Sequence, residues 1–435
     1  MFNWIFNQTP LHYFVQSFWR DEAFSYLLAK KSVLNIFYIT AKDFNPPLYY
    51  LVLHYWMRIF GTSEIAIRSL SLIFFALCLY YLYLFLEEIL KIKSNWIWVY
   101  LGIFALNPFL NYYAFEGRMY MMFATFALLS FYFFLKKEYK FYLISTILGL
   151  YTHYFMLLVL FSQAIFIFTS KLVKKEKSGK IKNLFLSGLF FLPWLVFLLS
   201  QHTFSGPQTW IKEIGLDSIP HLLGILYTGY EKDLGFYQYL LLPFSLFLYL
   251  ILILGIKRSL KHKGKDDILK FLLIWTFLPI VSMIIFSLFI PLFLPRYFIF
   301  SCVGLLLLFV YFMENMEPNL KITFITVLLL FTLSYNYLQI KNRQKAPLRE
   351  TISQIKMQAK PNDLLYVTNE LNFHPAQYYF GENPVFVYGR NYDEIPSYVG
   401  KVLMPKDKFV NNLPIYPKKA FILNDDLQYN INASL

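Results

Sequence analysis

Asp21 and Glu22 stand side by side in Trp19-Arg20-Asp21-Glu22-Ala23-Phe24-Ser25-Tyr26, an aromatic stretch near the start of a mostly apolar chain. Ionised carboxylates at a membrane surface cost solvation energy, so they need water or a task. Neighbours on a helix point about 100° apart and rarely act on the same atom. One can serve as a general base while the other orients a substrate or holds a cation. The plainer alternative is a solvated loop pair, and the flanking Trp19, Phe24 and Tyr26 weigh against it. Asp43, in Asp43-Phe44-Asn45-Pro46-Pro47, adds a third acid. Its plainer reading is an Asx turn or cap ahead of the double proline.

Further on, Phe115-Glu116-Gly117-Arg118-Met119-Tyr120 falls between two apolar runs. A guanidinium there matches phosphate oxygens in geometry, or it pairs with Glu116 and ties a turn. Arg296-Tyr297 follows Pro295 and is either a second phosphate contact or a snorkelling anchor. His153-Tyr154 breaks a long apolar stretch, where a lone histidine is more often structural. No HExxH metal motif and no GxxxxGK[ST] phosphate loop occurs, so neither a zinc hydrolase nor a nucleotide-driven machine is indicated. No G-x-S-x-G elbow supports a serine hydrolase.

The elements that must position these residues are membrane helices. Of 435 residues, 57% are hydrophobic and 15% charged, against about 25% charged in soluble domains. Ten apolar segments are expected at 66–90, 96–113, 118–135, 140–152, 153–170, 184–200, 236–256, 268–291, 298–313 and 321–339. Residues 140–170 are split at Tyr151-Thr152-His153-Tyr154 because the loops on both sides are basic. Leu48 to Phe60 is too short to span and reads as an interfacial amphipathic helix.

The net charge of +14 gathers in short loops at 136–140, 171–183 and 257–267. That pattern is cytoplasmic loop charge rather than nucleic-acid binding. Residues 1–63, the Glu116 turn, loop 201–235, Arg296 and the tail from 340 then share the outer face. The two cysteines, Cys78 and Cys302, lie in apolar runs and suggest no disulfide framework, and no cleavable signal peptide is visible. The tail alternates helix and strand. Helix is expected over 346–360 and near His374 to Phe380, with strands at 364–367, 384–388 and 420–423. The expected fold is therefore mainly α. A membrane bundle over 1–340 has its first outer loop at 1–63, and a small α/β domain fills 341–435.

The order RDEAFSY, DFNPPLYYLVLHYWMRIFGTSEIAIRSLS, EGRMYMM, YTHYF, PRYF resembles the family 39 glycosyltransferases of the GT-C superfamily. That group contains the protein O-mannosyltransferases and the lipid A aminoarabinose transferases. The resemblance runs from about residue 19 to 340, most specifically over Asp21 to Ser71. It implies a hexosyl- or pentosyltransferase of the bacterial cytoplasmic membrane with its site and tail facing outside. The sugar would pass from a polyprenyl-phosphate donor to an acceptor glycan, lipid or protein, usually with inversion. Asp21 matches the acidic position taken as the base, and Glu22 its positional neighbour. Arg118 and Arg296 match basic positions that neutralise the departing phosphate. Asp43, Glu116 and His153 match cavity-lining positions, with Asn45, Tyr154 and Tyr297 beside them.

Some members place a divalent metal at the donor phosphate, and the resemblance assigns no ligands for one here. Asn45 stands where many members carry histidine and does not titrate near neutral pH. The family also has a span upstream of the acidic pair, so either a helix preceding Met1 or an N-terminal segment reduced to an interfacial one is expected. The competing class is a transporter or flippase for a lipid-linked sugar. That class places charges near the bilayer midplane and often shows repeats in its two halves, neither of which this sequence shows. Acceptor choice is expected in loop 201–235, with Gln208, Trp210, Lys212 and Glu213, and in the tail.

Overall fold

The computed structural model describes residues 8–92, 95–171, 173–201, 211, 216–231, 237–260 and 266–433. The four loop residues Gln208, Trp210, Lys212 and Glu213 lie outside the described residues.

After a single helical turn at His12–Val15, three short helices precede the bundle: α1 (Arg20–Ala29), α2 (Val33–Thr40) and α3 (Leu48–Phe60). Each boundary follows from local chemistry. Ser32 caps α2 by accepting the Asn35 amide. Pro46-Pro47 precedes α3, and Gly61 (φ 87) ends it in a conformation that side chains resist. Ser63 then caps α4 (Glu64–Leu84) by accepting the Ala66 amide.

The bundle continues through α5 (Trp96–Leu106), α6 (Pro108–Ala114), α7 (Tyr120–Lys136), α8 (Tyr139–Leu150), α9 (Met156–Thr169) and α10 (Lys174–Gln201). It closes with α11 (Leu222–Thr228), α12 (Tyr237–Ser259), α13 (Asp266–Ser287), α14 (Ile299–Glu314) and α15 (Pro318–Asn342). Among the described residues six helices are long and apolar enough to cross a membrane, and four apolar ones are shorter. These ten account for the ten expected segments. The segment expected at 96–113 is broken, because Asn107 caps a new helix whose first residue is Pro108. The expected break at Tyr151–Tyr154 is present as a turn between α8 and α9.

α7 and α14 form the centre. Phe123–Leu129 and Ile299–Met313 are buried on every side, as all-round apolar helices must be. Prolines 193, 243 and 279 sit inside long helices, which neighbouring helices make tolerable in a membrane. The basic segments gather at one end of the bundle, where Lys137 pairs with Glu176 and Lys136 with Glu88. The first loop, the Glu116 turn and Arg296 gather at the other end.

After α15 the chain leaves the bundle. It forms α16 (Leu348–Gln358), β1 (Leu364–Val367), α17 (Phe373–Phe380), β2 (Val385–Tyr388), β3 (Phe409–Val410), β4 (Ala420–Leu423) and β5 (Tyr429–Asn432). The sheet order is β3-β2-β1-β4-β5, parallel except for β5. Its own core joins Ile352, Ile355, Phe373, Val385 and Phe421. Two strands are additions to the expectation: β3 is two residues long, and β5 carries polar, exposed residues that hide its pairing. The unit docks on the first loop. The Tyr378 hydroxyl donates to the Thr62 carbonyl (2.8 Å), and the Tyr379 hydroxyl accepts the Phe18 amide (2.7 Å).

Candidate active site

α1 begins directly after an extended Trp19, so Asp21 and Glu22 both fall in its first turn. The exposed amides there favour carboxylates. The two then diverge around the helix. Asp21 faces a small cavity of about 60 Å³, while Glu22 points into the protein and is fully buried.

Glu22 is gripped in a fork. Arg68 Nε donates to Oε1 and Nη2 to Oε2, both at 2.7 Å. The Gly117 amide donates to Oε1 (3.0 Å) and Lys345 Nζ to Oε2 (2.8 Å). A Cβ at Gly117 would meet Ile67 Cγ2 at 2.9 Å and Glu22 Oε1 at 3.4 Å, so glycine lets that amide approach. The remaining Arg68 donors satisfy the carbonyls of Phe14, Gln16 and Ser17. Lys345 Nζ also reaches Glu116 Oε2 (2.8 Å), whose other oxygen accepts from Trp19 Nε1. Two carboxylates and two cations thus balance in a buried site. Burial pushes Glu22 up, but Arg68 and Lys345 outweigh it and hold the carboxyl below its usual range. Burial raises Glu116, and Lys345 offsets this only in part.

Asp21 sits among guanidinium groups. Its Oδ1 accepts from Arg20 Nε (2.9 Å), and Oδ2 lies 3.8 Å from Arg296 Nη1. Arg118 Nη1 donates to the Asp21 carbonyl and to Ser25 Oγ, both at 3.2 Å. Burial raises the Asp21 carboxyl, yet Arg20, Arg118 and Arg296 together hold it well below the usual carboxylate range. Arg118 does not pair with the Glu116 side chain, which turns to Lys345 instead. The Glu-Arg pair that adjacency suggested is therefore absent.

Asp43, Asn45, Tyr120, Arg296 and Tyr297 complete the bundle side of the cavity. Burial pushes Asp43 up to about 6, and a hydrogen bond from the Phe44 backbone and the Arg118 charge offset this only in part. Arg296 Nε lies 3.3 Å from Glu231, which also accepts from the Tyr113 hydroxyl (3.2 Å). The α/β unit supplies the facing wall through Tyr398, Val399 and Gly400.

His153 and Tyr154 stand behind this cavity rather than on its wall. The His153 ring stacks on Phe123 at 4.8 Å and lies 5.3 Å from Tyr297, with Nδ1 accepting the Phe155 amide. Tyr154 accepts from Trp194 Nε1 at 3.3 Å.

Arg20, Arg68, Glu231, Lys345 and Tyr398 are site residues that sequence reasoning missed. A lone arginine in an apolar run was a usable signal for Arg68, because a charge there demands a partner. Nothing local marked Lys345. Among the described residues no three of His, Cys, Asp and Glu come together as a metal ligand set. Asp21, the carboxylate nearest the arginines, already has both oxygens directed at guanidinium groups.

Comparison with family models and with curated proteins gives no match. Solved structures do match. ArnT from Cupriavidus metallidurans in the apo state superposes with a TM-score of 0.58 at 12% identity, over 88% of this chain and 83% of that one. ArnT bound to undecaprenyl phosphate gives 0.53 over the same shares, again at 12% identity. The archaeal oligosaccharyltransferase AglB from Archaeoglobus fulgidus, in complex with an inhibitory peptide and a dolichol-phosphate, gives 0.51 at 12% identity. That match covers 85% of this chain and 61% of AglB. A mainly helical bundle with a small C-terminal sheet, superposing on two GT-C proteins over most of its length, has the GT-C fold.

Proposed function

We propose that the chain transfers a sugar from a polyprenyl-phosphate donor to an acceptor hydroxyl at the extracytoplasmic face of the membrane. The observation that carries this reading is Asp21, an ionised carboxylate on a cavity wall bracketed by Arg20, Arg118 and Arg296. The fold supports the donor class, since structures of its neighbours hold undecaprenyl phosphate and dolichol-phosphate.

Arg118 and Arg296 bind the donor phosphate and stabilise the charge it gains on departure. Asp21 accepts the proton of the acceptor hydroxyl as that oxygen bonds to the anomeric carbon. The bond from that carbon to phosphate oxygen breaks on the opposite side, and the lipid phosphate leaves. A carboxylate held so low is a weak base before the donor binds. A bound phosphate takes up the positive charge of Arg118 and Arg296 and so raises Asp21 toward useful basicity. Glu22 and Glu116 act through position, in the balanced ion network behind the wall.

Orientation follows from the basic loops, which belong on the cytoplasmic side and lie opposite the cavity. Transport has less support, because the charged groups sit at helix ends and loops rather than in mid-span.

The test is a transfer assay with purified protein, a panel of radiolabelled undecaprenyl-phosphate sugars and a cell-envelope extract. Asp21→Asn is expected to lose about 100- to 10,000-fold in rate, the usual share of acid-base catalysis. Full activity in that variant removes Asp21 as the base. Wild-type protein that binds undecaprenyl phosphate yet moves no label shifts the reading to transport.

A further inference from the structure

The carboxylates of Glu22 and Glu116 belong to the two segments that carry the working groups. Glu22 is the neighbour of Asp21 in the first turn of α1. Glu116 lies two residues before Arg118 in the turn that leads into α7. Lys345 Nζ stands 2.8 Å from both carboxylates, with its side chain 8% exposed. Of the two carboxylates, Arg68 hydrogen-bonds Glu22 and not Glu116. The ammonium group is thus a charged bridge between the segment holding the base and the segment holding a phosphate-binding guanidinium, added to the direct hydrogen bonds of the Gly117 amide to Glu22 and of Arg118 to the Asp21 carbonyl and Ser25.

Lys345 comes from neither segment. It sits in the connector between α15 and α16, so the chain that bridges them is the chain that starts the α/β unit. Immediately beyond it, Arg349 Nη2 donates to the Val15 carbonyl (2.8 Å), and Glu350 accepts from Ser17 Oγ (3.0 Å). The helix that follows the connector is therefore tied to residues 15–17 of the first loop.

We propose that Lys345 is a positioning residue that sets the spacing of Asp21 and Arg118, so that the α/β unit completes the catalytic geometry. The proposal rests on the transferase reading for its kinetic consequence. Its geometric consequence is independent of that reading.

The test separates position from charge balance. Lys345→Met alone leaves one buried carboxylate uncompensated and is expected to lower Tm. Lys345→Met with Glu116→Gln keeps the remaining Glu22–Arg68 pair neutral and is expected to fold with a Tm near wild type. In the transfer assay this double variant should lose about 100-fold in kcat, the scale of a misplaced catalytic group, with KM for the lipid-linked sugar within twofold. Lys345→Arg, which keeps a cation that can reach both carboxylates, should recover most of the rate. A folded double variant with wild-type kcat overturns the proposal, because charge balance alone would then explain Lys345. Amide exchange gives the second readout. Residues 20–29 and the Gly117 amide should exchange at least tenfold faster in the double variant, with β1 unchanged. Unchanged exchange in both places also overturns it. Faster exchange with no transfer by the wild type leaves Lys345 as positioned here and removes the transferase reading instead.

Discussion

Asp21 and Glu22 share one helical turn, and about 100° of rotation separates a cavity-facing acid from a buried ionic keystone. Burying a carboxylate is costly, and each residue meets the cost differently. Glu22 takes a bidentate arginine, an amide and a lysine, whereas Asp21 takes three guanidinium neighbours and stays open to a ligand. Asp43 lacks comparable compensation, and burial leaves its pKa raised from 3.8 to about 6. A raised folded-state value makes folding most favourable below pH 4, with that advantage lost as pH rises through 6. Asp43→Asn mimics the protonated acid at every pH. It is expected to stabilise the protein at pH 7.5 by up to about 3 kcal/mol, since each pKa unit is worth about 1.4 kcal/mol. The gain should shrink to about 0.5 kcal/mol at pH 4. Melting curves of both proteins across pH 4 to 8 check this, and a constant offset would remove the burial argument.

At the scale of elements, the site is assembled from helix ends and turns. α1, the 115–118 turn, the Asp43-to-Pro47 loop and the Pro295-Arg296 turn each deliver one to three residues. The roof of the cavity depends on the turn at Gly400. Its φ is +84, and a Cβ there would meet Phe24 at 2.7 Å and His374 at 2.8 Å. Gly389 also has positive φ (+70), but space is open around it. Gly400→Ala is expected to cost about 1–3 kcal/mol from strain and close approach together. Gly389→Ala, carrying strain alone, should cost less. Urea unfolding of the two variants compares them directly, and equal losses would mean that the roof does not press on α1 as described.

For the whole molecule, the ion pairs of the basic segments lie at one end and the cavity at the other. Cys78 and Cys302 are both buried, so the background for thiol labelling is low. Asn383→Cys, in the α/β unit, should react with an impermeant maleimide in intact cells. Lys175→Cys, in the basic segment, should react only after permeabilisation. The reverse pattern would turn the proposed orientation over and place the cavity on the cytoplasmic side.

How much of this was legible depends on the range of the forces involved. Apolar length and loop charge act locally, so the ten apolar segments, the break at Tyr151–Tyr154, the α3 helix after Pro46-Pro47 and three of the five strands could be read from the sequence. So could the acidic and basic residues that share the cavity end, because charges in an apolar chain stand out. The break at Asn107-Pro108 was missed because the apolar run continues through it and only the cap and ring geometry interrupt the helix. The sequence by itself determined a polytopic helical protein with an α/β tail and a short set of candidate side chains. Which of two adjacent acids faces the cavity, and which distant cations hold the other, was decided only by the tertiary structure. Arg68 and Lys345 meet Glu22 across separations of 46 and 323 residues. That contact is set by packing between the bundle, the first loop and the tail, and no local pattern encodes it.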